Sequence, residues 1–325
     1  MATAAQLEVL DLRHFNAVRL RPLLEEEGRA WSSKLWWDYR KSIELLLGYF
    51  DAHTLPGYVA MEEGNIRGYT FCVYDGPKAI IGDVFALPPR FAGPLFESTE
   101  TLLLRHLLET LQNSPQVQRI ESQLLLPDYG TLRAAFVPAG FKGHRRLLLE
   151  HIFDDHTPQW HSRKDAWRSR VTLRHWQDED FPRAGALINL AYHGHVDANI
   201  NDQYRTVSGA QRFLHNIVRF PGCGSFDPAL SRIACDTRTG EMAGMVLASR
   251  VRADVGHITQ LCVLPEYRRL GLSHALLDAV EADLRYQRFA GVTLTVTAEN
   301  TAAIGLYSER GFRTRHEFEA FVWER

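Results

Sequence analysis

Cysteine is scarce: four residues in 325, Cys72, Cys223, Cys235 and Cys262, with no CxxC spacing among them. That argues against a disulfide-built scaffold and a paired-thiolate zinc site, and fits reduced thiols in a cytoplasmic protein. No metal is expected. Any run of about eighteen apolar residues is also missing, so no membrane span is expected. The opening residues, MATAAQLEVLDLRHF, lack the basic start and apolar core of a secretory leader. An excess of one charge is missing too. Thirty-seven Lys and Arg against 39 Asp and Glu leave a formal net charge of −2, which is not the basic footprint of a nucleic-acid binder. The rest is ordinary globular composition, 45% hydrophobic and 23% charged. At roughly 100–200 residues per domain, the length suggests two domains.

The chain contains an internal repeat. GNIRGYTFCVY at 64–74 resembles GEMAGMVLASR at 240–250, and DVFALPPRF at 83–91 resembles QLCVLPEYR at 260–268. TLRAAFVPAGFKGHRRLLLEHIF at 131–153 resembles AAIGLYSERGFRTRHEFEAFVW at 302–323. The matches keep their order and nearly their offset, as a duplication does. The polar, aperiodic segment around 154–169 is the expected boundary. The domains are therefore expected at 1–155 and 170–325, with a linker at 156–169. Each half alternates strands with crossing helices, which indicates an α/β sandwich.

Residues 265–277, PEYRRLGLSHALL, stand between the strand HITQLCVL and an apolar run at helical spacing. The first N–H groups of that helix have no intrahelical acceptor, and with the helix dipole they make an anion site. Gly271 removes the side chain that blocks a close approach, and Arg268 and Arg269 flank it with positive charge. The expected ligand group is a diphosphate.

The neighbouring residues carry a family resemblance. Arg268-Arg269-Leu270-Gly271-Leu272-Ser273 resembles the acyl-CoA signature of the GNAT acetyltransferase superfamily, with Ser273 replacing a final Gly or Ala. AENTAAIGLYSERGF at 298–312 resembles its second signature, matching at Asn300, Ala303, Leu306, Tyr307, Gly311 and Phe312. The resemblance implies two tandem GNAT-like domains, each a mixed, mostly antiparallel twisted sheet flanked by helices, in a plan similar to that of mycothiol synthase. It implies an acetyl-CoA-dependent N-acetyltransferase working by direct attack in a ternary complex. It also implies that Leu261, Cys262 and Val263 pair through their backbone with the pantetheine arm, that Asn300 bonds near that arm, and that Tyr307 lies beside the thioester sulfur.

Acetyl transfer to an amine needs a neutral amine, a stabilised oxyanion and a proton for the leaving thiolate. A phenol of pKa near ~10 remains protonated at neutral pH and can donate to a thiolate of pKa near ~8.5, so Tyr307 is the candidate general acid. The N–H near Val263 is the candidate oxyanion donor. His257 is the candidate base, acting through water; Asp254 and Glu299 stand behind it. Gln260 is placed on the strand's opposite face. The segment AYHGHVDANINDQY at 191–204 is the candidate acceptor loop. There Asp197 and Asp202 are placed to hold an ammonium, and Tyr192, Asn201 and Tyr204 to donate hydrogen bonds; a solvated loop is the alternative. The acceptor is expected to be a small-molecule amine or a peptide N-terminus, and the protein a monomer or homodimer.

The first half keeps the pattern and loses the chemistry. Prolines 88, 89 and 94 delete N–H groups from its turn, Tyr129 stands at the position of Asn300, and Phe136 at that of Tyr307. A structural or cleft-walling role is expected for it. The rival to an active enzyme is a catalytically silent acyl-CoA-binding sensor or scaffold.

Overall fold

The computed structural model describes residues 7–88, 97–154, 166–220, 222 and 224–325. In chain order these form β1 (Glu8–Asp11), α1 (Ala17–Leu35), α2 (Arg40–Asp51), β2 (Gly57–Glu62), β3 (Asn65–Asp75), β4 (Lys78–Ala86), α3 (Thr99–Asn113), β5 (Arg119–Leu124), α4 (Arg133–Phe136) and β6 (Lys142–Ile152). There follow β7 (Val171–His175), α5 (Phe181–Ala191), α6 (Asp197–Ile200), α7 (Val207–Arg219), β8 (Ser225–Phe226), β9 (Arg232–Asp236), β10 (Met242–Arg252), β11 (Val255–Val263), α8 (Leu272–Tyr286), β12 (Gly291–Thr297), α9 (Thr301–Glu309) and β13 (Arg313–Glu324).

Two compact units result: residues 1–146 with 317–325, and residues 147–316. The expected division at 155/170 is thus displaced at both ends, and residues 156–165 of the expected linker lie outside the described residues. The reason is a choice of closing strand. Residues 319–324 of β13 pair antiparallel with β5 and complete the first unit's sheet. The second unit takes residues 147–152 of β6 beside β12.

In the first unit the strand order is β1-β2-β3-β4-β5-β13, antiparallel except between β4 and β5. Leu103, Leu104, Leu107, Leu108 and Leu111 of α3 recur at helical spacing and are buried with Ile81, Ile120 and Phe136. Leu20, Leu23, Leu24, Leu46 and Leu47, from α1 and α2, form a separate core with Val59 and Tyr69. Each fully buried leucine contributes about 1.5–3 kcal/mol relative to exposure, which is why these helices hold to the sheet.

The second unit repeats the plan, with order β6-β12-β11-β10-β9-β7 and β8 beside β10. Leu276, Leu277, Val280 and Leu284 of α8 pack with Val246, Ala248, Ile258 and Val263. Leu187, Ile188, Ala210 and Leu214 of α5 and α7 pack with Ile233, Met245, Leu247 and Cys262. The duplication extends to a defect in the ladder. β4 pairs parallel with β5 only as far as Ile81–Ser122, and β11 with β12 only as far as Ile258–Leu294. One residue later each strand carries a bulge against its antiparallel neighbour, at Gly82 and at Thr259. A Cβ on Gly82 would lie 2.2 Å from the Phe71 ring, so the first bulge requires glycine. Beyond the bulge β11 runs on to Val263 without a β12 partner.

Candidate active site

The turn after β11 is held from both sides. The Tyr267 hydroxyl donates to Asp236 at 2.7 Å, and the Arg170 guanidinium lies 4.7 Å from the Tyr267 ring centroid. Arg269 (φ 64°) and Gly271 (φ 89°) are both left-handed. Alternating handedness of this kind turns successive N–H groups to one side, making an anion-binding concavity. Gly271 is the N-cap of α8; no side chain caps this helix, and its first turn holds no acidic residue. The leading N–H groups of α8 are thus left for an outside acceptor. The α3 N-terminus is closed instead: the Ser98 hydroxyl accepts from the Thr101 N–H at 3.1 Å, and Glu100 sits in the first turn.

Arg268 does something other than flank a ligand with charge. Its guanidinium donates to the carbonyls of Val263 (3.2 Å) and Ala191 (2.9 Å), tying the end of β11 to the end of α5. Leu270 is half-buried and Leu272, the first residue of α8, is buried in the core; Ser273 is half-buried in the helix's first turn. Leu261 and Val263 face α8, whereas the Cys262 thiol faces α5 and α7, where burial pushes its pKa up to about 12. It is therefore a thiol and not a nucleophile at neutral pH.

Tyr307 lies on α9, 7% exposed, its ring 5.5 Å from that of Phe312. Burial, and then the nearby Asp197 charge, holds its hydroxyl proton well above the ordinary phenol range. Asn300 is the N-cap of α9; its side-chain oxygen accepts from Ala303 N at 3.2 Å and is thereby committed to the helix.

Three of the five acceptor-loop candidates come together. Tyr192 stacks on Tyr204 with ring centroids 4.4 Å apart. Burial, then Tyr204 and Asp197, raises the Tyr192 phenol well above its usual range. Asp197 opens the short helix α6 and accepts from the Thr297 hydroxyl. Its carboxylate is 3.4 Å from the His195 ring nitrogen. Asn201 instead caps the turn Asp202–Arg205, accepting from Gln203 N at 3.0 Å, and Asp202 belongs to that turn. Thr297 was missed by sequence reasoning, and His195, inside the expected acceptor loop, was given no acceptor role there. The alternating polar row Thr293, Thr295, Thr297 was the available signal for Thr297.

The bulge corrects the facing of Gln260. Ser249 pairs with His257 and Leu247 with Gln260, and Ser249 and Leu247, two apart on β10, share a face. His257 and Gln260 therefore share one face, because Thr259 adds a residue between them. His257 is 5% exposed, and its Nδ1 lies 2.9 Å from the Thr293 hydroxyl. Burial pulls its pKa down to about 4. The folded state thus keeps the imidazole neutral, and its contribution to stability is present above the ordinary pKa of ~6.5 and lost as pH falls toward 4. At about 1.4 kcal/mol per unit, the loss is about 3 kcal/mol. Denaturant titrations at several pH values should show it in the wild type and not in His257→Gln; an equal acid loss in both would contradict this.

Among the described residues no group of three or more His, Cys, Asp or Glu is arranged to hold a metal, and no helix is long and apolar enough to cross a membrane. Cys223 lies outside the described residues.

Comparison with known proteins gives a consistent result. Residues 218–312, inside the second unit, match the Acetyltransferase (GNAT) family. The [Ribosomal protein bS18]-alanine N-acetyltransferase of Escherichia coli K12 is 37% identical over 76 residues, 23% of this chain and 51% of that protein. An N-alpha-acetyltransferase of Sulfurisphaera tokodaii is 41% identical over 59 residues, 18% of this chain and 35% of that protein. The chain thus spans about half or less of the curated relatives it matches. Among solved structures, a GCN5-related N-acetyltransferase from Sphaerobacter thermophilus superposes with a TM-score of 0.65 at 16% identity, over 98% of this chain and 95% of that one. A tandem GNAT protein from the clavulanic acid biosynthesis pathway gives 0.61 at 16% identity, over 98% of both chains. At such identity these two likenesses speak to the fold.

Proposed function

We propose that this chain, whose second unit belongs to the GNAT acetyltransferase family, is an acetyl-CoA-dependent N-acetyltransferase with its working site in that unit. The observation that carries the reading is the uncapped, left-handed Gly271 start of α8 beside the open end of β11, with Tyr307 on the next helix. Acetyl-CoA supplies the acetyl thioester. The N–H groups of residues 269–273 receive its diphosphate, and the backbone of Leu261–Val263 pairs with its pantetheine arm as an added strand. Tyr307 holds a proton for the leaving sulfur, and its raised pKa keeps that proton in place until the thiolate forms. Asp197, beside Tyr192 and Tyr204, holds the incoming ammonium by charge and aromatic face. The ammonium yields one proton to solvent water, the neutral amine attacks the thioester carbon as the C–S bond breaks, and the nitrogen's next proton also leaves to water. His257, a weak base at a pKa of about 4, serves as a neutral hydrogen-bonding group on the acceptor-side face. Asn300 positions α9 through its cap.

The first unit is proposed to be a silent copy. Its helix α3 caps itself with Ser98. Phe136, in the place of the tyrosine, is fully buried and stacked on Phe321 at 4.1 Å. Tyr129, in the place of Asn300, is 43% exposed. Pro89 and Pro94 lie outside the described residues; the Pro88 carbonyl accepts from Arg67 at 2.6 Å.

Thiol release from acetyl-CoA, measured with a panel of small primary amines and of peptides with free N-termini, tests the reading. Release with at least one acceptor supports it, and the class that responds names the acceptor. Cofactor binding with no release across the panel would replace it with an acyl-CoA-binding sensor.

A further inference from the structure

We propose that Glu27 and Asp83 hold one proton between them, and that this proton fastens α1 to β4 in the first unit. The inference is independent of acyl transfer. Glu27 is fully buried and Asp83 is 5% exposed. The other contacts of both carboxyl groups are filled by donors. Glu27 Oε1 accepts from Trp31 Nε1 at 3.0 Å, and Oε2 from the Tyr69 hydroxyl at 2.7 Å. Asp83 Oδ2 accepts from the Tyr39 hydroxyl at 3.0 Å, and Oδ1 from its neighbour Val84 N at 2.8 Å. Their donors Trp31 and Tyr39 stack on each other, which sets the two carboxyl groups near one another. Two like charges side by side in a buried site without a cation do not both ionise. One of them is therefore a carboxylic acid. The proton belongs to the pair, which titrates as a unit.

The surroundings reinforce this assignment. The groups facing the pair are Trp31 on α1, Tyr39 just before α2, Tyr69 on β3 and the Val84 amide on β4. Both phenols are held neutral, first by burial and then by the carboxyl groups. Among the described residues no lysine, arginine or histidine pairs with either carboxyl, so no cation competes for the role the proton fills. Burial, the largest cause, raises both carboxyl pKa values. Trp31 and Tyr39 stack at 4.6 Å over the pair.

Position gives the cluster its consequence. Asp83 pairs with Phe71 one residue after the Gly82 bulge, as Gln260 pairs with Leu247 one residue after Thr259. The second unit has at this place the neutral amide of Gln260. The first unit has an acid pair that ties its covering helix down. Lifting α1 exposes Glu27, which then ionises near ~4.3. Opening therefore releases a proton. The folded form holds one more proton than the opened form in the window above that pKa, so the joint is firm at low pH and loosens as pH rises toward the pair's own pKa.

Hydrogen exchange on the full chain, followed in peptides covering residues 17–35 and corrected for intrinsic exchange, tests this. As pH rises from about 6 the opening constant of the wild type should rise, by up to roughly tenfold per unit, until the pair's own pKa is reached. In Glu27→Gln, whose amide donates to Asp83 without titrating, it should stay flat. Infrared spectra of wild type labelled with carboxyl-13C glutamate and aspartate at neutral pH need no variant: a label-shifted protonated-carboxyl band is expected. Absence of that band overturns the shared proton. A band together with equal slopes in wild type and variant overturns the fastening of α1.

Discussion

Tyr307→Phe should bind acetyl-CoA as tightly as wild type and turn it over about a hundredfold to ten-thousandfold more slowly, the span expected for loss of a positioned general acid. The change removes one oxygen from a side chain that is already 7% exposed and packed on Phe312, so the helix and the ring contacts survive. In the proposed mechanism it removes the proton the departing sulfur needs. The raised pKa of Tyr307 makes the effect specific: the phenol is still protonated where a free one begins to ionise. In wild type, the alkaline fall in turnover should lie above the ordinary phenol pKa of ~10. Turnover of the variant within about threefold of wild type would remove Tyr307 from the chemistry.

Gly271→Val should cost the second-largest effect, this time in binding. The residue sits at φ 89°, a region where an L side chain costs roughly 1–2 kcal/mol, more if β-branched. The added carbons also stand in front of the N–H groups that a diphosphate must reach, and each charge-assisted bond lost costs about 1.5–3 kcal/mol. The strain falls on folding; two such bonds lost give about 3–4 kcal/mol in binding, or roughly a hundredfold to a thousandfold in CoA affinity. Thermal unfolding of the variant separates the two contributions: a small shift in Tm with a large loss of affinity is the expected pattern. Equal affinity of variant and wild type would mean that the phosphates are held elsewhere.

The sequence was most legible where a single element carries the signal. The helix after Gly271 and the strand before it follow from residue type and spacing within a short window, whereas Asn300, expected beside the CoA arm, places its side-chain oxygen on the start of its own helix. The duplication was legible because both copies kept their order. What was hidden lies between distant segments. The repeats at 142–152 and 313–324 follow the same pattern, so either fits either sheet. Nothing local says that residues 319–324 close the first unit. Likewise one residue of bulge at Thr259 turned Gln260 onto the face of His257, and bulges depend on the partner strand as much as on the bulged one. The Asp197–Thr297 bond joins residues 100 apart in the chain. Arg268 looked like a ligand-binding charge because its carbonyl partners, Val263 and Ala191, are backbone atoms that any sequence supplies.

Calorimetric titration of the purified chain with coenzyme A tests the central claim most directly. One site per chain is expected, abolished or greatly weakened by Gly271→Val and unchanged by Tyr307→Phe. No heat at any attainable concentration, or binding indifferent to Gly271→Val, would contradict it.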